Sequence, residues 1–290
     1  MSFNLHRPRT LAEAIDLSQR LAPAVRYVAG GTDTVIQINR KRINPAHLID
    51  VACLPSMSGI AETAGGFALG ALTNYSTIEA FPAFRGGLRA LIEAARVVGG
   101  RQVRNIATIG GNIVNASPAA DFVPALLAVE AELDIDGPSG SRAVALRDFI
   151  LGPGKTSLAQ SEIVTRIRFA KLPANSATAF LKEGRRRAME ISVVCVAACL
   201  TLDAERSRCT SVRLAVGAAG PKAFRPEKAE AYLAGKPVGQ ASFAAAGQLA
   251  AEASAPISDV RASADYRRQL VAVMVERALT ACVERIAMVQ

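Results

Sequence analysis

The chain has 290 residues, half of them apolar, 20% charged and 5% aromatic, with a formal net charge of +9. This is globular composition with room for two cores, and it excludes a disordered chain. Its basic residues come in short scattered groups without interleaved aromatics (Arg40-Lys41-Arg42, Arg185-Arg186-Arg187, Arg267-Arg268), so no nucleic-acid partner is expected, and the charge suits an anionic cofactor, an acidic partner subunit or solubility.

In chain order, Phe3 to Leu5 is a short strand candidate, and Thr10-x-x-Glu13 opens a helix that ends before Pro23. A strand over 25–29 delivers Gly30-Gly31, and the following segment, with Val35, Ile36 and Ile38, predicts an amphipathic helix. A strand over 47–51, a hairpin over 60–63 and 67–70, and helices over 75–80 and 87–98 come next. Then an apolar, β-like run (Ile106, Ile109) meets Gly110-Gly111, and a helix follows over 122–129. A second hairpin (129–135, 142–146), a short helix (146–151) and a strand (162–169) lead to a linker, Lys171 to Ser176. Beyond it, strands over 177–181, 191–203 and 209–219 precede helices at about 226–233, 239–253 and 263–288. The last has Ser263 as its N-cap and a stripe of Leu270, Met274, Ala278, Cys282 and Ile286, which reads as packing on the three-stranded sheet.

Five cysteines with no CxxC pair, and two histidines (His6, His47), argue against a disulfide framework and against a metal or iron–sulfur site in this chain. No stretch reaches the roughly 18 continuous apolar residues of a membrane span, and the N-terminus lacks a signal-like apolar run, so a cytoplasmic location is expected. Adjacent glycines after a strand let the backbone turn at positive φ and bring bare N–H groups close to a ligand. Two such pairs, Gly30-Gly31 and Gly110-Gly111, lie about eighty residues apart among small polar residues (Thr32, Asp33, Thr34; Asn112, Asn115, Ser117). Facing one another, they would hold a dinucleotide diphosphate largely by backbone donors. No G-x-G-x-x-G opens a helix, and Gly154-Lys155-Thr156 lacks the first glycine of a phosphate loop because Phe149 stands there. Asp121 suits either ligand hydroxyls or the N-terminus of a helix. Lys182 is locally an ordinary charge, and Cys195 and Cys199 are small buried hydrophobes on one strand face. With no nucleophilic triad in reach, chemistry borne by a cofactor fits better than hydrolysis.

At these residues the sequence resembles the FAD-binding (medium) subunit of the molybdenum hydroxylases, the family of carbon monoxide dehydrogenase and xanthine dehydrogenase. Ala29-Gly30-Gly31-Thr32-Asp33 is similar to its first flavin motif, and Arg104 to Ile113, continuing through Ala116 to Asp121, to its second. Gly154 to Leu158 with Glu162-Ile163, and Lys182 to Ile191, resemble two later segments, so the likeness covers almost the whole chain. The resemblance implies an α+β fold. A two-lobed FAD-binding domain of the vanillyl-alcohol-oxidase type would span 1–173, with lobes at about 1–55 and 56–173. A smaller C-terminal domain of the carbon monoxide dehydrogenase flavoprotein type, a three-stranded antiparallel sheet with helices, would span 174–290.

Carried over residue by residue, Ala29 to Thr34 and Thr108, Ile109, Gly110, Gly111 and Asn112 would bind the FAD diphosphate and adjoining groups, with Asn115 beside them. Ser117 and Asp121 would contact sugar or ribityl hydroxyls, and Leu158 and Lys182 would lie by the isoalloxazine, Lys182 tuning it. Implied partners are a large molybdopterin subunit and a small subunit with two [2Fe-2S] clusters, in a dimer of heterotrimers that passes electrons through FAD to an external acceptor. Two departures stand out. There is no cysteine set for an extra cluster, and Met189 stands where the xanthine dehydrogenase branch commonly has an acid, which leaves the acceptor (NAD, quinone, oxygen or another carrier) open. The alternatives are a stand-alone flavin reductase resembling the enolpyruvyl-glucosamine reductases, or a nucleotide-binding assembly subunit without turnover.

Overall fold

The computed structural model describes residues 2–186 and 189–288; Arg187 and Ala188, inside the Lys182 to Ile191 segment, lie outside the described residues. The first lobe is a parallel three-stranded sheet in the order β1-β3-β2 (β1 Asn4–His6, β2 Val25–Val28, β3 His47–Asp50) with helices α1 (Leu11–Leu21) and α2 (Thr34–Asn39). Thr10 caps α1 by accepting the Glu13 N–H at 3.1 Å, and the Glu13 carboxylate accepts the Arg9 N–H at 2.7 Å. Val35 and Ile36, expected on a buried face of α2, are about half exposed, and only Ile38 is buried.

The second lobe is an antiparallel five-stranded sheet in the order β4-β5-β10-β6-β7. Its strands are β4 (Ile60–Glu62), β5 (Gly66–Gly70), β6 (Glu132–Gly137), β7 (Gly140–Ala145) and β10 (Ile163–Ala170). Helices α3 (Tyr75–Ala80), α4 (Arg89–Arg96), α5 (Arg101–Ile106), α6 (Ile109–Asn115), α7 (Phe122–Ala128) and α8 (Leu146–Phe149) accompany it. The β-like run expected before Gly110 is helical: α5 ends at Ile106, and α6 restarts after an extended Ala107-Thr108. The Thr108 side chain accepts the Gly111 N–H at 3.2 Å, a local cap that outweighs the β preference of the isoleucines. Gly154-Lys155-Thr156 forms a two-stranded hairpin, β8 (Ile150–Gly152) with β9 (Lys155–Thr156), tied to α6 where the Gly154 N–H donates to the Ala116 carbonyl at 3.0 Å. Asp134 accepts from Arg168 at 2.8 Å, and Asp136 accepts from the Thr165 hydroxyl at 2.7 Å.

The third unit is the antiparallel sheet β11-β12-β13 (β11 Ser176–Glu183, β12 Val194–Leu202, β13 Cys209–Gly217) with α9 (Glu227–Leu233), α10 (Gln240–Ala253) and α11 (Ala264–Met288). All nine residues of β12 are buried, and they alternate between two cores. Cys195, Ala197 and Cys199 join the core of the preceding lobe, while Val194, Val196, Ala198 and Leu200 join the core under α10 and α11. One sheet is therefore shared between both cores. Each large apolar side chain so buried contributes about 1.5–3 kcal/mol. An ion pair and a hydrogen bond strengthen the joint: Glu93 of α4 meets Arg285 of α11, and also accepts the Phe180 N–H of β11 at 3.0 Å.

Candidate cofactor site

β2 ends at Val28 because its partner strand ends at Asp50, and the chain turns through Ala29 and Gly30 to Gly31, whose φ of 69° favours glycine. Gly30 is required for a different reason. A Cβ there would stand 1.8 Å from the Ile106 carbonyl oxygen and 2.6 Å from its carbon, so the first glycine loop lies directly on the C-terminal end of α5. The Gln37 amide then donates to the Asn115 side chain at 3.2 Å, joining α2 to α6. The first glycine loop therefore meets, across a backbone contact at Ile106, the segment that leads into the second glycine pair.

Their donors differ. Among the described residues, nothing accepts the backbone N–H groups of Gly30, Gly31, Thr32, Asp33 or Thr34. A run of unpartnered N–H groups over a side-chain-poor loop is an anion cradle. In α6, by contrast, the N–H groups of Ile109 and Gly110 donate to the Thr73 and Ala71 carbonyls at 3.0 and 2.8 Å, and those of Gly111 and Asn112 to the Thr108 hydroxyl and carbonyl. The second pair thus supplies space where bare donors were expected. Gly110 lets α6 pack on Ala71, and Gly111 is exposed, with only the Thr108 hydroxyl within reach of a Cβ, at 2.9 Å.

Asp121 and Lys182 meet at 2.6 Å, each 11% exposed. Lys182 Nζ also donates to the Glu190 carbonyl at 2.8 Å and the Val97 carbonyl at 3.3 Å, so its three N–H donors are all committed. The other Asp121 oxygen accepts the Ser192 hydroxyl. Burial pushes the Asp121 carboxyl up, with the Lys182 ammonium and the two hydrogen bonds opposing it. Asp121 makes no side-chain cap at α7, and in this arrangement it fixes Lys182 across the domain joint. Lys182 lines a cavity of about 670 Å³ between the α4–α5 corner and the end of β11, within the usual range for a small-molecule site.

Ser117 and Leu158 are half-buried: the Ser117 hydroxyl accepts the Ala119 N–H, and Leu158 packs on the core beside the β8–β9 hairpin. Asn112 Oδ1 is buried without a partner among the described residues. Sequence reasoning missed Tyr75, fully buried with a hydroxyl that has no partner among the described residues; burial raises its phenol, and the carboxylates of Asp121 and Asp33 add to the effect. It also missed Ser192 and, apart from Lys182, the basic residues of the cavity. Nothing in their local sequence marks them, because the segments that bring them together are distant along the chain.

This donor set and its Cβ-free approach fit the diphosphate of a dinucleotide, with a roomy cavity at the other end of α5. Comparison with known proteins settles which one. The FAD binding domain in molybdopterin dehydrogenase matches residues 1–172, and the CO dehydrogenase flavoprotein C-terminal domain matches residues 179–282. The chain belongs to the FAD-binding subunits of the molybdenum hydroxylases. This flavoprotein subunit is 34% identical over 283 residues to the xanthine dehydrogenase FAD-binding subunit of Escherichia coli O157:H7, covering 96% of this chain and 95% of the relative. It is 30% identical over 285 residues to the carbon monoxide dehydrogenase medium chain of Hydrogenophaga pseudoflava, covering 98% of each. A solved carbon monoxide dehydrogenase from that organism superposes with a TM-score of 0.94 at 31% identity, over 98% of each chain. Quinoline 2-oxidoreductase from Pseudomonas putida 86 superposes with a TM-score of 0.91 at 26% identity, also over 98% of each. The α+β architecture expected from the sequence is that of these subunits. Among the described residues no helix is long and apolar enough to cross a membrane, and no three metal-ligating side chains gather.

Proposed function

We propose that the chain seats FAD with its diphosphate on the Gly30–Thr34 loop and its flavin end beside Lys182, and relays electrons through it. The observation that carries this reading is the run of five unpartnered N–H groups on a loop pressed against α5, whose opposite end lines the cavity. When bound, FAD supplies two-electron storage that can be filled one electron at a time. The protein's share is to bind and orient. Gly31 and the loop N–H groups hold the phosphates, Gly111 keeps the approach clear, and Asn112, Asn115 and Ser117 offer polar atoms along it. Asp121 and Ser192 hold Lys182 still. Because Lys182 is neutralised by Asp121 and has no spare donor, it shapes the pocket and contributes little net field.

In this reading a small subunit with two [2Fe-2S] clusters delivers the electrons, a large subunit holds molybdopterin and the substrate, and two such heterotrimers pair in the cytoplasm. The division between a flavin domain and a C-terminal domain falls at the linker near residue 173. The test is visible absorbance of the purified complex. Flavin bleached by the large subunit's substrate only when all three subunits are present supports the reading, whereas bleaching by NADH or NADPH on this chain alone would support a stand-alone reductase. A colourless chain that cannot be loaded with FAD would sink it.

A further inference from the structure

Six basic side chains line the cavity (Arg96, Arg101, Arg104, Lys182, Arg185 and Arg186) against the two carboxylates of Glu183 and Glu190. Five of the six have at least one partner. Arg96 and Arg104 both meet Glu79, at 3.2 and 3.5 Å, and Arg104 also donates to the Gly99 carbonyl. Arg185 donates to the Val260 carbonyl, Arg186 to the Met189 carbonyl, and Lys182 is held by Asp121. Arg101 is exposed and, among the described residues, its guanidinium has neither an ion pair nor a hydrogen bond. Beside it, Met189 is 65% exposed and lies over Gly100, its sulfur 3.4 Å from where a Cβ on that glycine would stand.

Even after Glu79 and Asp121 are set against the six cations, the cavity keeps a positive balance, and Arg101 is the one guanidinium of its lining with no partner at all among the described residues. A guanidinium fork matches a phosphate bidentately, and a positive concave wall concentrates anions near it. An uncharged acceptor would gain nothing from either feature. The geometry points to Arg101 as a specificity-determining residue that receives a phosphate of the electron acceptor, with Met189 and Gly100 as the adjoining apolar wall. The acceptor takes two electrons and a proton and is reduced as FAD is reoxidised; the phosphate contact holds it in place meanwhile. The inference rests on the FAD reading above.

The experiment titrates the FAD-loaded complex with ADP-ribose, which carries a diphosphate and no redox group, following the flavin absorbance and the heat of binding. Full FAD occupancy is established first, so that the probe does not enter the diphosphate loop. Arg101→Gln should weaken ADP-ribose at least about tenfold, Arg101→Lys should recover part of the loss, and wild-type affinity should fall with added salt. In stopped-flow reoxidation of the dithionite-reduced flavin, the Gln variant should lose more rate with NAD than with uncharged menadione. ADP-ribose that leaves loaded wild-type protein unperturbed, equal affinity in the two proteins, or equal loss with both acceptors overturns the assignment. A starting complex without flavin absorbance overturns the FAD reading instead, so the two failures are distinguishable.

Discussion

Gly30 and Ile106 touch through their backbones, the Cα of one lying under the carbonyl of the other so closely that a Cβ would sit 1.8 Å from the oxygen. No side-chain rotation relieves a clash with a carbonyl. Gly30→Ala should therefore force the loop off α5, costing about 3 kcal/mol or more and removing FAD. Thermal unfolding and flavin content of the purified variant check both effects; a stable, fully loaded variant contradicts the contact.

Gly111 gives the opposite balance. It is exposed, and an added side chain meets only the Thr108 hydroxyl. Gly111→Val should cost about 1 kcal/mol, the worth of a disturbed N-cap, while its side chain fills the approach to the diphosphate. The expected result is a folded chain with little or no flavin. Full flavin occupancy in this variant would count against the placement of the cofactor.

Asp121→Asn leaves the Lys182 ammonium buried without its counter-charge, which costs about 3–5 kcal/mol at such sites. The double variant Asp121→Asn, Lys182→Met removes the stranded charge and should regain at least half of that loss. Denaturant unfolding of the single and double variants supplies the comparison. Additive losses would show that the two side chains act independently.

Burial raises the Asp259 carboxyl, but the N–H groups of Arg261 and Ala262 and the Arg267 guanidinium outweigh it and hold the group at about 2. A carboxyl depressed in the folded state stabilises above its unfolded value near 3.8 and loses that contribution as pH falls through its folded value. Arg267, buried and donating to the Val193 and Ala218 carbonyls, depends on this partner. Asp259→Asn should be less stable than wild type at pH 7, with the gap closing between about pH 4 and pH 2. A gap independent of pH would show that the carboxylate charge is not what matters there.

Much of the fold was legible in the sequence because its signals are local. The capping box at Thr10 and Glu13, the glycines between β6 and β7, and the continuous apolar run of β12 each dictate an element by themselves. The stripe Met274, Ala278, Cys282 and Ile286 is buried against the sheet, as its spacing predicts. Ile106 and Ile109 misled because four apolar or small residues do not distinguish strand from helix, and the decision lies with the Thr108 cap and the Ala71 and Thr73 carbonyls. Val35 and Ile36 satisfy a helical pattern, yet the lobe offers no surface to cover them. The turn at the first glycine pair could be read directly. The pairing of Asp121 with Lys182, the commitment of every Lys182 donor and the open guanidinium of Arg101 could not, since they arise only when distant segments close on one another.

The cavity is walled by the α4–α5 corner on one side and the end of β11 on the other, and α11 pins that assembly through Arg285 and Glu93, 192 positions apart. On the proposed seating of FAD, a nascent chain still short of α11 would have the Gly30–Thr34 loop but not the finished cavity beside Lys182. That seating predicts late coenzyme capture, after translation has passed Arg285, and ribosome-arrested chains stopped ahead of that point should stay colourless in the presence of FAD.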